Sequence, residues 1–591
     1  MQKRRTVIGY LLIVGVMLAA SVVPGLSQTA APASQAAGGT SSADEVALLK
    51  QQLAAQQKQL DQMQAAMAEM KKQLDRTNQG APQVAAAPAA PPEPSSLGQV
   101  ASLSPVIPTA PAASAPSLPA VTIPQKITST SESPLFFKIG GASFTPGGFL
   151  DFTTFYRTTN VGSGIGTSFG SIPFSNGATG QLSETRFTMQ NSRLSLDVNS
   201  MFKGFDLHAH VEADFLGFSP PNVFDSSNSN TLRSRLYWLD GRKGHFEFLG
   251  GQSWTMLTPN RTGLSANPSD IFYSQDMDTN YQVGLVWARQ AQFRLIYHFT
   301  DTAAAGISIE DPQQFCYSAT VPSSMVAQCD NGSGSITNSN AANNPATPNL
   351  MPDIISKVAF DPMMGKLHEH VEFAGVLNAT RVYDPAAQVH NSAVGGGVAA
   401  NFNLELFKNF HFVLNSIYGD GIGRYLFALA PNFVINRNGD GDYHPSLVHT
   451  GAGLAGFEYQ ANQRTMFYGY YGGVWAQRNF GIDCYIQPAV IPPPGTPPPT
   501  TPAPVVCNST PSTKPSYLGY GYPGAPNSQN KSVQEPTFGI IETFWKNPHY
   551  GALQIITQYS YVTRAPWFVA TDAPKNAHLS MAYVDLRYVI P

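Results

Sequence analysis

The stretch from Leu207 to Phe215 alternates one for one. Leu207, Ala209, Val211, Ala213 and Phe215 are apolar, and His208, His210, Glu212 and Asp214 between them are ionisable. A strand sends successive side chains to opposite faces, so this segment has one greasy wall and one wall of titratable groups. In a sandwich the apolar wall would meet a second sheet; in a membrane barrel it meets lipid, and the ionisable wall lines water. The pattern recurs. Leu150, Phe152, Thr154 and Tyr156 alternate with Asp151, Thr153, Phe155 and Arg157, while Leu194, Leu196 and Val198 alternate with Arg193, Ser195 and Asp197. Leu553, Ile555, Tyr559 and Tyr561 stand opposite Gln554, Gln558 and Ser560. The last strand repeats it, with Ala582, Val584, Leu586, Tyr588 and Ile590 on one face and Tyr583, Asp585 and Arg587 on the other. Residues 135–591 show no helical period. Their length predicts an all-β fold, a transmembrane antiparallel β-barrel of about 16 strands with long outer loops and aromatic girdles.

The chain ahead of this region reads differently. Lys3, Arg4 and Arg5 precede an apolar run from Val7 to Ala20 and the small residues Gly25 and Ser27. That is the form of a signal peptide over residues 1–27, too short for a comfortable helical span. Ser42 and Glu45 have capping-box spacing at a helix start. From there Val46, Leu53, Leu60, Met67 and Leu74 recur every seventh residue, with Leu49, Gln56, Met63 and Met70 at the companion positions. This heptad seam predicts an α-helical coiled coil over residues 42–76, because a lone apolar stripe of that length would stay wet. Residues 77–134 are rich in Ala, Pro, Ser and Val and predict a disordered Pro/Ala linker.

Composition narrows the class. Charged residues make up 12% of the chain, about half the usual quarter, as suits a protein that shows much of its surface to lipid. From Leu135 on, 16 Arg and 10 Lys stand against 31 acidic residues. That balance excludes nucleic acid as a partner on electrostatic grounds. The cysteines form two local pairs, Cys316 with Cys329 and Cys484 with Cys507, in loop-like segments of an exported chain. Disulfides are the expected reading and free thiols the alternative; neither spacing resembles a zinc site.

Several motifs then coincide. The coiled coil and linker ahead of a barrel, the opening Pro146-Gly147-Gly148-Phe149-Leu150-Asp151, the Ser192-Arg193 strand, Gly251-Gln252-Ser253-Trp254-Thr255, the stretch from Arg289 to Arg294, and Tyr418-Gly419-Asp420-Gly421-Ile422-Gly423-Arg424-Tyr425 together resemble the DcaP-like porins, trimeric outer-membrane channels of Gram-negative bacteria. The resemblance implies a 16-stranded barrel, three per assembly, with coiled coils in the periplasm. It also implies passive uptake of small polar solutes, with carboxylates preferred by some members. The terminal Pro591 in place of an aromatic residue, and the Pro-rich loop from Pro492 to Pro504, depart from the pattern.

A diffusion pore needs charged side chains at a water-filled constriction. The basic candidates are Arg193, Arg233, Arg235 and Arg294, then Arg157 and Arg587; the acidic candidates are Asp151, Asp197, Glu212 and Asp214. Arg233 and Arg235 are two apart and so share a face, where forked donors could grip a carboxylate. The competing reading of each is an ion pair that only holds a strand or an inward loop. His208 and His210 could in principle hold a metal with Glu212 and Asp214, but the alternating wall already explains them, so no metal and no cofactor is expected. The loop from Asn436 to Asp442 is oxygen-rich yet lacks the spacing of a calcium loop. Besides a porin that meets lipid, small polar or anionic solutes and two further copies of itself, two other classes stand. One is an anchor joining the outer membrane to the cell wall or a periplasmic partner through the coiled coil. The other is a barrel-borne enzyme, against which no Gly-x-Ser-x-Gly elbow or triad is found.

Overall fold

The computed structural model describes residues 133–217, 230–264, 266, 272–275, 281–316, 321, 325, 328, 349–427, 429–437, 441–486, 505–507 and 516–591. The chain divides into two units, residues 1–112 and 113–591. The expected signal peptide, coiled coil and most of the linker lie outside the described residues, as does Cys329.

Sixteen strands form one closed antiparallel barrel. In chain order they are β1 (Ala142–Arg157), β2 (Arg193–Phe202), β3 (Phe205–Asp214), β4 (Arg233–Lys243), β5 (Phe246–Trp254), β6 (Arg289–Thr300), β7 (Ala303–Glu310) and β8 (Asp353–Phe360). The second half holds β9 (Leu367–Asp384), β10 (Val389–Phe407), β11 (Phe410–Asp420), β12 (His449–Gln460), β13 (Thr465–Ala476), β14 (Asn530–Asn547), β15 (Gly551–Pro566) and β16 (Ala577–Val589). Each strand pairs with its neighbours in sequence, and β16 returns to β1 with Leu586 opposite Phe152 and Arg587 opposite Asp151. A short strand, Glu184–Thr188, extends the pairing of β1 beyond β2. Closure leaves no edge, so every ladder group finds a partner without water.

The alternation read from the sequence sets the two faces. Leu150, Phe152, Tyr156, Leu194, Val211 and Leu586 are exposed on the outside, whereas Asp151, Thr153, Arg157, His210, Asp214 and Asp585 are buried on the inside. One departure is local. A bulge at Arg235, where the register shifts so that Glu212 pairs with Leu236 and Ala213 with Ser234, turns both Arg235 and Leu236 inward, where strict alternation would send Leu236 out. An extra residue in one strand has this effect.

The reversals differ at the two ends. At one end the strands turn over short links such as Lys203-Gly204 and Lys408-Asn409; at the other run long loops, three of which fold inward. Their apolar side chains form a core inside the barrel: Ile165, Phe169 and Ile172 from the β1–β2 loop, Leu257, Phe272 and Val283 from the β5–β6 loop, and Ile422, Tyr425 and Leu426 from the β11–β12 loop. The linker end lies at the short-turn end, where Ser133 donates to the carbonyl of Pro591 at 3.0 Å.

Candidate functional site: the loop-filled lumen

The described residues of the β5–β6 loop, 255–264, 266, 272–275 and 281–288, lie inside the barrel and are held by the wall at successive points. Met256 N donates to Glu310 at 2.8 Å, and the Asn260 side chain to Glu372 at 2.8 Å. Arg261 forks onto Glu458 at 2.7 and 2.8 Å, and the Tyr470 hydroxyl donates to the same carboxylate at 2.7 Å. Gly263 N donates to Asp361, Gln275 N to Gln558, Val283 N to Glu535 and Val286 N to Asn415. The carboxylates of Glu310, Glu372, Glu458 and Glu535 are all buried on the inner wall. Each therefore meets a donor from the loop and is compensated, as a buried charge must be. Burial opposes the charge on Arg261, but the adjacent Glu458 carboxylate outweighs it, so its pKa is raised and it stays cationic.

Glu372 also joins the loop to the wall electrostatically. Lys357 Nζ lies 2.7 Å from it and donates at 2.8 Å to the Thr258 carbonyl, while Asn401 donates to Glu372 at 2.8 Å. Asn415 donates to Asn401 and accepts from Val286 N, so one chain of hydrogen bonds clamps both limbs of the loop. Close approach completes the contact: a β-carbon on Gly472 would lie 1.7 Å from the Val283 carbonyl oxygen, and Gly284 has φ of +92°. Only glycine at 472 leaves room for the loop backbone, and Gly284 adopts a conformation that side chains disfavour.

The other inward loops are held in the same way. Tyr425 donates to Asp353 at 2.5 Å with Arg424 at 3.3 Å from it; burial and the neighbouring carboxylate raise the Tyr425 pKa well above its usual value. Arg564 donates to the Ile172 carbonyl and lies 4.6 Å over the Phe174 ring. Trp254, Tyr281, Trp287 and Phe427 form an aromatic cluster where the second and third inward loops meet, with Arg235 and Arg289 beside Trp254.

The charged residues picked out from sequence all lie on the inner face, several of them in ion pairs between adjacent strands. Arg233 grips Asp214 with two donors at 3.0 and 2.6 Å, and Arg235 reaches Glu212 at 2.6 Å and Asp214 at 2.8 Å. The forked grip foreseen for a carboxylate is thus already taken by the chain's own carboxylates. Arg587 pairs with Asp151 at 2.6 Å, and Arg157 with Glu184 at 3.1 Å and the Thr167 hydroxyl at 2.9 Å. Arg193 lies 5.4 Å over the Phe149 ring, and Arg294 donates to Gln292 at 2.6 Å and to the Trp254 carbonyl. His208 and His210 both lie 2.8 Å from one oxygen of Asp197, and both pack on Trp238. Among the described residues no cluster of three metal-ligating side chains occurs.

Sequence reasoning missed Glu310, Asp353, Lys357, Glu372, Glu458 and Glu535. Their signal was present: each sits at an inward position of an alternating strand, as Glu458 does between Phe457 and Tyr459. The inward loops that they meet carry no period that could announce them. Beyond the barrel, the strands Cys484–Ile486 and Val505–Cys507 pair with Cys484 opposite Cys507. Cys316 and Cys484 are disulfide-bonded, and no described cysteine is free.

No protein-family model matches the chain, and no curated protein matches its sequence. Among solved structures it is similar to the outer membrane channel DcaP of Acinetobacter baumannii, with 16% identity and a TM-score of 0.50 over 76% of this chain and 97% of that one. An anion-selective porin from Comamonas acidovorans aligns at 10% identity and a TM-score of 0.40, over 76% of this chain and 99% of that one. OmpT of Vibrio cholerae aligns at 10% identity and 0.38, over 77% and 99%. In fold, the chain is similar to the DcaP channel, a closed sixteen-stranded antiparallel barrel.

Proposed function

We propose that this protein is an outer-membrane porin through which small hydrophilic solutes diffuse passively, anions and carboxylates preferentially, and that it works as a homotrimer with its N-terminal region in the periplasm. The observation that carries the reading is the closed barrel itself, apolar outside and ionisable inside, with the described residues of the β5–β6 loop latched to its inner wall. Such a wall pairs its backbone in lipid, and an inward loop narrows the passage to molecular width. Anion preference draws support from Arg193, Arg233, Arg235 and Arg294, gathered on the inner face of β2, β4 and β6.

A second reading has its own support. The apolar core that the three inward loops build inside the barrel suits a plugged lumen, and with it an anchor that tethers membrane to cell wall. Single-channel recording in a planar bilayer under a salt gradient separates the two. Conductance steps grouped in threes, with a reversal potential of anionic sign, are expected of the porin. Silence from folded, inserted protein supports the anchor instead.

A further inference from the structure

At the short-turn end, six of the seven reversals carry a cation in the turn or directly beside it: Lys203, Lys243, Lys366, Lys408, Arg464 and Lys546. All six are exposed, and none forms an ion pair among the described residues. The seventh reversal carries Asp301. Two other acids lie in or beside these turns: Asp361 faces inward and accepts from Gly263 N and His370, and Asp206, next to the Lys203 turn, is exposed. A chain whose barrel region is acidic overall thus ends, on this rim, in a ring where six exposed cations outnumber two exposed acids, Asp206 and Asp301. Half-buried or paired acids nearby, such as Glu542, which accepts from Thr465 at 2.6 Å, sit within the ladder and not at the tips.

We propose that this rim binds the anionic headgroups of phospholipids in the leaflet it meets. Two features select lipid over a single macromolecular partner. First, the cations are spread around the ring. Successive reversals are two strands apart, roughly 10 Å along the rim, so the charges would face an encircling shell of headgroups, whereas a rod or a globular partner would touch only a few. Second, two of these ammonium groups lie over aromatic rings at the strand ends. Lys203 lies 5.3 Å over Phe202 and Lys243 4.9 Å over Phe205, and Lys138, just ahead of β1, lies 5.1 Å over Phe136. Phe202 is exposed and Phe205 and Phe136 are half-buried; aromatic rings at strand ends mark the boundary between hydrocarbon and headgroup, where a lysine stem lies along apolar surface and its charge reaches phosphate. This inference rests on the outer-membrane reading above.

The test uses the full chain in phosphatidylcholine vesicles containing a minor fraction of either brominated phosphatidylglycerol or brominated phosphatidylcholine. Trp545, exposed beside Lys546, is the reporter. Quenching by the anionic lipid is expected to exceed that by the neutral one by roughly threefold, and to fall to parity in the variant with all six cations changed to Gln. The same fall is expected of the unaltered protein in about 1 M salt, where screening acts within about 3 Å; this arm does not depend on the variant folding. Equal quenching by the two lipids in low salt overturns the proposal. So does a variant that sediments less with insoluble cell-wall polymer while its lipid ratio stays unchanged, which would assign the cations to that polymer. Protein that never inserts into vesicles would instead refute the outer-membrane reading on which the proposal stands.

Discussion

The carbonyl oxygen of Val283 occupies the space that a β-carbon on Gly472 would fill. The inner wall of β13 and the loop that crosses the lumen are therefore in backbone contact, with no side chain between them. Replacing Gly472 with Val is expected to push the loop off the wall and change single-channel conductance. Gly473→Ala is the control, since a β-carbon there meets nothing closer than 3.8 Å. A Gly472→Val channel with native conductance would show that this contact does not shape the passage.

Glu458→Gln leaves Arg261 without its forked partner. Removing one member of a buried pair costs about 3 kcal/mol or more, and here the loss should fall on the loop, since the β12 ladder to β11 and β13 is untouched. Hydrogen exchange across 255–288 should rise while the heat stability of the barrel in unheated gels holds. Unchanged exchange would mean that the other latches suffice.

Changing Arg233 and Arg235 together to Gln removes four charged hydrogen bonds from Asp214 and Glu212. The reversal potential should move toward cation selectivity, and Asp214→Asn should move it the other way. If neither moves it, this cluster is a strut and the passage lies elsewhere.

Cys484 stands on a two-stranded segment outside the barrel ring. Cys484→Ser should therefore leave the heat stability of the barrel unchanged. Thiol titration of the unreduced, denatured native chain should find no free cysteine; four thiols would contradict the bonded state.

Deleting residues 42–76 should leave trimers that survive unheated gels, because barrel walls bury far more surface than four heptads. Recovery of monomers alone would give the coiled coil the leading part in assembly.

The barrel was legible because lipid and water impose a two-residue period. The alternation at Leu207–Phe215 and Ala582–Ile590 marks both faces without any knowledge of partners. The contents of the lumen were not legible. Residues 255–288 obey no period, since their neighbours are wall groups far away in sequence, such as Glu372 and Gln558. The inward charges of β3 and β4 were found, but their mutual pairing depends on register and on the bulge at Arg235, which alternation alone does not reveal. Heptads and signal segment rest on sequence alone.

Asp151 and Arg587 bind across 436 residues of chain, at the seam where the first strand meets the last. Until Ala577–Val589 has been made and delivered, the barrel is an open sheet with two bare edges, and it can be neither stable in lipid nor safe from pairing with a neighbour. Closure is thus the pairing in the wall with the greatest separation along the chain. Without Ala577–Val589, both the first strand and Gly551–Pro566 would lose a ladder partner, so this one strand is the condition for a wall with no edge.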